Sequence, residues 1–166
     1  MKIKISNLQD RSYNFDFEDD IEEIEVGEPY FGRFKTRVLL TKLRDQLILE
    51  VNTDIKAKFI CDRCAVEFER NINSNYKMVY MSDAGLSNTD SPDVTYISPD
   101  SDKIEITPDV RDYAMLSIPM KKLCKDECKG LCYRCGKNLN EGECSCTMQE
   151  IDDRWKPLID LKKKLS

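Results

Sequence analysis

Histidine is missing from all 166 residues. Its absence removes the usual general base near neutral pH, the Ser-His and Cys-His nucleophile pairs, and every mixed Cys/His zinc site. Any zinc site in this chain must therefore be all cysteine. Long apolar runs are missing too: stretches such as Val38-Leu39-Leu40 fall far short of the roughly 20 residues that span a bilayer. The N-terminal Met1-Lys2-Ile3-Lys4-Ile5 alternates charge with apolar side chains and carries no continuous apolar region or small-residue cleavage site, which predicts a cytoplasmic protein with no membrane partner. No carboxylate pair, phosphate-binding glycine loop or nucleophile constellation argues for catalysis or for a small-molecule substrate.

What is present is the composition of a folded, water-soluble chain, with 40% hydrophobic and 34% charged residues. The length suits one ordinary domain plus a small appended module. Residues 14 to 28 hold Asp16, Glu18, Asp19, Asp20, Glu22, Glu23, Glu25 and Glu28 with no basic residue among them, and read as a solvated loop or edge.

From Phe34 the pattern turns to period two. Phe34, Thr36, Val38 and Leu40 fall on one face, with Lys35 and Arg37 opposite. A second alternation places Leu47, Leu49, Val51, Ile55, Ala57, Phe59 and Cys61 together. A third, beyond Cys64, aligns Val66, Phe68, Ile72, Tyr76, Met78 and Tyr80. Cys61-Asp62-Arg63-Cys64 is thus expected at the tip of a long hairpin. Residues 82–102, rich in Ser, Asp, Asn and Pro, read as a mobile insert. Lys103 to Ile106 predicts a short strand. Thr107-Pro108-Asp109 reads as an N-cap, a first-turn proline and a first-turn acid, opening a helix that Pro119 stops near Ile118. A final helix is expected from Asp152 to Leu165, with Trp155, Leu158, Leu161 and Leu165 as its apolar stripe. The predicted architecture is α+β. A mainly antiparallel β domain occupies 1–107, and 108–166 supplies a short helix, a cysteine-rich zinc module and a C-terminal helix packed on the sheet.

The eight cysteines form four close pairs. In a reducing compartment such clusters point to metal before disulfide. Two cysteines separated by two residues can both reach one ion from a tight turn whose amides offset the thiolate charge. Cys132-Tyr133-Arg134-Cys135-Gly136 fits that turn, and Asn140-Glu141-Gly142 allows a reversal that brings Cys144 and Cys146 back opposite. Cys132, Cys135, Cys144 and Cys146 are the first expected site. Cys61, Cys64, Cys124 and Cys128 form a second, tying the sheet to the C-terminal module. One filled site with the other cysteines free is an alternative, as are exchange of ligands between sites, an iron–sulfur cluster, and a redox or metal-delivery role for Cys61 and Cys64. The cofactor expected is one or two zinc ions in closed, structural sites. Leu123 to Thr147 holds too few large apolar residues to keep a fold without metal.

The net charge of −5 argues against unselective coating of nucleic acid, and each four-thiolate site with one dication makes it more negative. Locally the balance reverses. Lys121, Lys122, Lys125, Lys129, Arg134 and Lys137 face only Asp126 and Glu127, with Tyr133 among them for stacking. These cations either contact RNA or neutralise the thiolates.

Several strings together carry a resemblance: Leu116-Ser117-Ile118-Pro119, Leu123-Cys124, Cys128-Lys129-Gly130-Leu131-Cys132, Cys135-Gly136-Lys137-Asn138-Leu139-Asn140 and Cys144-Ser145-Cys146. Upstream lie Cys61-Asp62-Arg63-Cys64 and Phe68, and downstream Ile151-Asp152-Asp153-Arg154. The chain resembles the YceD family over nearly its whole length, least in 82–102, and departs at Asp153, where many members carry proline. The resemblance implies a bacterial or organellar role in accumulation of large-subunit ribosomal RNA, through its processing or through assembly of the particle. The partners it implies are that RNA or its precursor particle, and a ribosomal protein or processing enzyme. It also implies that the hairpin pair Cys61/Cys64 matters across more members than the C-terminal module. An adaptor that meets a basic partner through the acidic run and makes no direct RNA contact is the competing expectation.

Overall fold

A computed structural model describes residues 1–81 and 93–146, together with Arg154, Leu158 and Leu161. Its main element is a five-stranded sheet of order β2-β3-β4-β5-β6. The strands are β2 (Ser12–Asp20), β3 (Tyr30–Leu43), β4 (Gln46–Ile60), β5 (Glu67–Met81) and β6 (Val94–Tyr96). The first four pair antiparallel, whereas β6 runs parallel to β5. A separate two-stranded ribbon joins β1 (Lys2–Lys4) to β7 (Lys103–Glu105), and the helix α1 (Thr107–Leu116) follows.

The alternations read from the sequence are the inward face of this sheet. Phe34, Thr36, Val38 and Leu40 of β3 and Leu47, Leu49, Val51, Ile55, Ala57 and Phe59 of β4 are all buried. So are Ile72, Tyr76, Met78 and Tyr80 of β5. Period-two side chains are forced to one face of a pleated strand, so a strand with one apolar set can bury only that face. The cover comes from Val110 and Ala114 of α1, Ile21 and Ile24 of a one-turn 3-10 helix, and Ile3 and Ile104 of the ribbon, all in the same core. Thr36 and Thr53 share a hydroxyl hydrogen bond of 3.0 Å across β3 and β4, whereas the buried Tyr76 hydroxyl has no hydrogen-bond partner among the described residues. Tyr80 donates to Asp109 at 3.1 Å, and Tyr76 stacks on Tyr113 with ring centroids 4.2 Å apart.

Several expectations change here. Val66 is exposed, because β5 begins only at Glu67 and Val66 belongs to the connecting turn. Thr107 is the first residue of α1 and not its cap, which is Ile106. The acidic run forms the outer half of edge strand β2 and the 3-10 turn after it, in keeping with a solvated edge. Within 82–102, residues 82–92 lie outside the described residues, while Val94–Tyr96 is a strand and not a loop. The final helix expected over Asp152–Leu165 lies outside the described residues except at Arg154, Leu158 and Leu161.

Candidate metal centres

The β4–β5 hairpin keeps pairing up to Ile60↔Glu67, where the chain turns through Cys61-Asp62-Arg63-Cys64-Ala65-Val66. Two backbone hydrogen bonds shape the turn: Cys61 N–H donates to Val66 O at 2.9 Å, and Ala65 N–H to Cys61 O at 2.9 Å. The same pair recurs downstream. Cys132 N–H donates to Lys137 O at 2.8 Å, and Gly136 N–H to Cys132 O at 2.8 Å. In each turn the residue after the second cysteine is left-handed, with φ of 56° at Ala65 and 71° at Gly136. The two CxxC segments are therefore one backbone structure used twice.

The thiols gather as the spacing predicts. Cys61, Cys64, Cys124 and Cys128 form one group and Cys132, Cys135, Cys144 and Cys146 another, with all Sγ atoms of a group within 4.8 Å of one another. Within the first, Cys61 and Cys128 Sγ are 3.8 Å apart, and Cys64 and Cys124 Sγ 3.6 Å. A tetrahedral ion with metal–sulfur bonds of about 2.3 Å sets its ligands about 3.8 Å apart, whereas a disulfide brings sulfurs to about 2.05 Å. The spacing fits a single ion held by four thiolates. A multi-iron cluster would interpose its irons and sulfides and spread the thiolates further.

Electrostatics point the same way. At Cys61 burial opposes ionisation, yet the backbone N–H groups of Cys124, Arg63 and Cys64 converge on the sulfur and hold the thiol down to about 6. Cys132 is likewise lowered to about 6 by the N–H groups of Cys135 and Arg134 and by the Cys144 thiol. Burial, then the neighbouring Cys64 and Cys61, push Cys124 up to about 12. Cys135, then burial, push Cys146 up to about 12. The first group favours thiolates at Cys61 and Cys128 and resists them at Cys64 and Cys124, and the second favours one at Cys132 and resists one at Cys146, so a cation among the four sulfurs would favour full ionisation.

The second half of the first group is docked onto its turn. Asp62 N–H donates to Lys122 O at 2.8 Å, and Lys122 N–H returns to Asp62 Oδ2 at 2.7 Å. Arg63 donates to Cys128 O at 2.9 Å, and Leu131 N–H donates to Arg63 O at 3.0 Å. Gly130 is required there: at φ 77° a Cβ would sit 3.0 Å from Arg63 O. Asp62, Arg63, Gly130 and Asn140, the last donating to Cys128 Sγ at 3.3 Å, are structural participants that cysteine spacing alone does not single out.

The basic residues surround these groups on the 121–137 segment. Lys121, Lys125, Lys129, Tyr133, Arg134 and Lys137 are exposed. Lys122 is half-buried with its ammonium 5.7 Å from the centre of the Phe59 ring, and Lys137 Nζ donates to Glu143 O at 2.7 Å. Those two have internal partners in addition to any external role.

The class so defined is an α+β protein with a mainly antiparallel sheet and two cysteine clusters, the first at the tip of its long hairpin, that could each hold a metal ion. No helix among the described residues is long and apolar enough to cross a membrane. The chain belongs to the YceD family, described as large ribosomal RNA subunit accumulation protein YceD, whose family model matches residues 43–162. It is 34% identical over 76 residues to the chloroplastic large ribosomal RNA subunit accumulation protein YCED homolog 1 of Arabidopsis thaliana, covering 46% of this chain and 24% of that one. To the protein of the same name from Zea mays it is 40% identical over 55 residues, 32% of this chain and 19% of the other. The matched segment thus spans about a quarter or less of these relatives. No solved structure matches.

Proposed function

We propose that this chain is a noncatalytic, cytoplasmic ribosome-biogenesis factor of bacterial type that supports accumulation or processing of large-subunit ribosomal RNA and contacts that RNA through a zinc-held basic segment. The observation that carries the reading is the placement of Lys121, Lys125, Lys129 and Arg134, all exposed, on the short stretch that contributes cysteines to both four-thiolate groups. Family membership and the names of the plant relatives support the ribosomal direction.

The zinc in this reading is structural. Cys61, Cys64, Cys124 and Cys128 hold one ion and Cys132, Cys135, Cys144 and Cys146 the other, leaving no open position for water or substrate. The ions supply charge and cross-links; the protein supplies a rigid loop on which the lysines and Tyr133 meet phosphates and bases. Because the net charge is −5, the contact is local and selective.

The test is crosslinking in growing cells with sequencing of the bound RNA, comparing wild type with a Lys121→Glu, Lys125→Glu, Lys129→Glu variant. All three side chains are exposed, so the fold is spared. Discrete crosslinks in large-subunit ribosomal RNA that vanish in the variant are expected. In vitro, the salt dependence of RNA affinity should lose roughly 0.7 of log–log slope per contact removed. RNA association that ignores these reversals would instead favour the adaptor reading. That reading is supported by the acidic edge of the sheet, where Asp16, Glu18 and Asp20 of β2 face solvent, with Glu18 paired to Arg33 and Lys35 and Asp20 to Arg33 of β3, so a basic partner would have to compete with those pairs.

A further inference from the structure

The segment that returns the chain from the second knuckle to Cys144 does not belong to its own centre alone. Asn140 stands in that return, half-buried, four positions before Cys144. Its Nδ2 donates to Cys128 Sγ of the first centre at 3.3 Å and to Asn138 Oδ1 at 2.8 Å. Its Oδ1 accepts from Lys129 N–H, the residue after Cys128, at 2.9 Å. The turn that presents it is itself fixed: Leu139 N–H donates to Gly130 O at 2.9 Å, Asn138 Oδ1 accepts from Asn140 N–H at 3.1 Å, and Leu131 and Asn138 form a β-bridge.

We infer that Asn140 is a positioning residue for the first metal centre, held in place by closure of the second, and that the two centres therefore load their ions cooperatively. The inference deepens the zinc reading and rests on it. An ion at Cys132, Cys135, Cys144 and Cys146 pins both ends of the 136–143 turn, and so fixes the amide that donates to Cys128. A donor to a ligating sulfur orients it and offsets part of its charge, an influence worth about 10-fold to 100-fold in metal affinity at other centres. Coupling between binding sites is reciprocal, so an ion at the first centre tightens the second by the same factor. The chain between the centres, Lys129-Gly130-Leu131, is too short to isolate one from the other, and its backbone is engaged by Asn140, Leu139 and Arg63 at successive residues.

The experiment titrates the metal-free full chain with cobalt(II) and then competes the bound ions with a chelator. Wild type is compared with Asn140→Ala, Asn140→Asp and a Cys144→Ser, Cys146→Ser variant, each checked for an unchanged sheet spectrum. Asn140→Asp keeps an acceptor for Lys129 N–H and loses the donor to Cys128, which separates the turn's structural need from the amide's effect on sulfur. Expected for wild type are two ions per chain and a binding curve steeper than two independent sites allow. Both Asn140 variants should keep two ions, lose about 10-fold to 100-fold in retention at the first centre, and flatten the curve. Their thiolate-to-cobalt band should move to longer wavelength as the sulfur loses its donor. The double cysteine variant should bind one ion, weakened to a similar degree. Two ions with curves identical in wild type and both Asn140 variants would overturn the coupling while leaving the zinc reading standing. An Asn140→Asp protein with wild-type affinity and band would overturn the donor role. A wild-type chain that takes up no ion in either group would bring down the zinc reading itself, and this inference with it.

Discussion

The two CxxC turns share a backbone and differ in their surroundings. Around the first, Cys61, Cys64 and Cys128 are 2–3% exposed and pack with Phe68 and Leu123 into a small apolar cluster at the end of a hairpin fifteen residues long on each side. Around the second, Cys135 is exposed, Cys144 and Cys146 are half-exposed, and short loops take the place of strands. One motif is thus supported by the sheet, whereas the other rests on short loops and a few hydrogen bonds. A zinc knuckle's dependence on metal is set by what it is built upon, since burial and strand pairing hold the first turn's shape in advance.

Removing the metal should expose that contrast most strongly. Binding free energies of structural zinc in finger peptides run to about 10–16 kcal/mol, far more than the second turn's few hydrogen bonds replace. Chelation should therefore abolish amide-exchange protection over 132–146, weaken it over 121–131, and leave β3, β4 and β5 protected. Equal loss of protection in the strands would show that the sheet, too, depends on the ions.

The converse perturbation acts on the sheet. Phe34 is fully buried at the centre of the core, so Phe34→Ala should cost about 3–5 kcal/mol and lower the thermal midpoint. Both ions should still bind below that midpoint. Loss of the second ion in the folded variant would mean that the core supports the outer knuckle directly.

Acid tests both centres together. Cys61 and Cys132 are lowered to about 6, well below an ordinary thiol at 9.0. A group with a depressed folded pKa contributes stability that is complete above its unfolded value and lost as pH falls through the folded one. The thiolate contribution should therefore wane between about pH 9 and 6, and proton competition for the sulfurs acts on metal binding with the same sign. Ion retention, followed by elemental analysis after equilibration at each pH, should drop as pH passes below about 6. Retention that did not fall at any acid pH would argue against thiolate ligands.

Strand identity and the close cysteine pairs were legible because both depend on local spacing, whereas the joining of Cys61 and Cys64 to Cys124 and Cys128 is a long-range contact that the sequence offered only as the remaining four. The β4 face from Leu47 to Phe59 extends without interruption to Cys61, so the first knuckle's position on the core side followed from the alternation alone. Val66 misled because the positive φ at Ala65 breaks the alternation between Cys64 and Glu67. The edge strand β2 was obscured by its charges: Tyr13, Phe15, Phe17 and Asp19 share its inward face, and all four are only half-buried. The parallel pairing of β6 with β5, and the reach of Asn140 to Cys128, are long-range or cross-turn contacts with no periodic trace. Lys122 read as one of several cations, although its chain neighbours give no sign of Phe59 beneath it.

The smallest effect bears most directly on the shared backbone. Ala65 and Gly136 occupy equivalent left-handed positions, and a Cβ there costs about 1–2 kcal/mol, while glycine's extra freedom in the unfolded chain costs about 0.5–1 kcal/mol. Ala65→Gly should therefore gain less than about 1 kcal/mol, and Gly136→Ala should lose a similar amount. At Gly136 nothing lies within 4 Å of the position a Cβ would take, so the loss is conformational and not a clash. The chelator midpoint of each centre measures both changes. Opposite shifts of similar size would confirm that the turns are equivalent in backbone and unequal only in support; a much larger loss at Gly136 would mean that the exposed knuckle tolerates strain less well because no strands flank it.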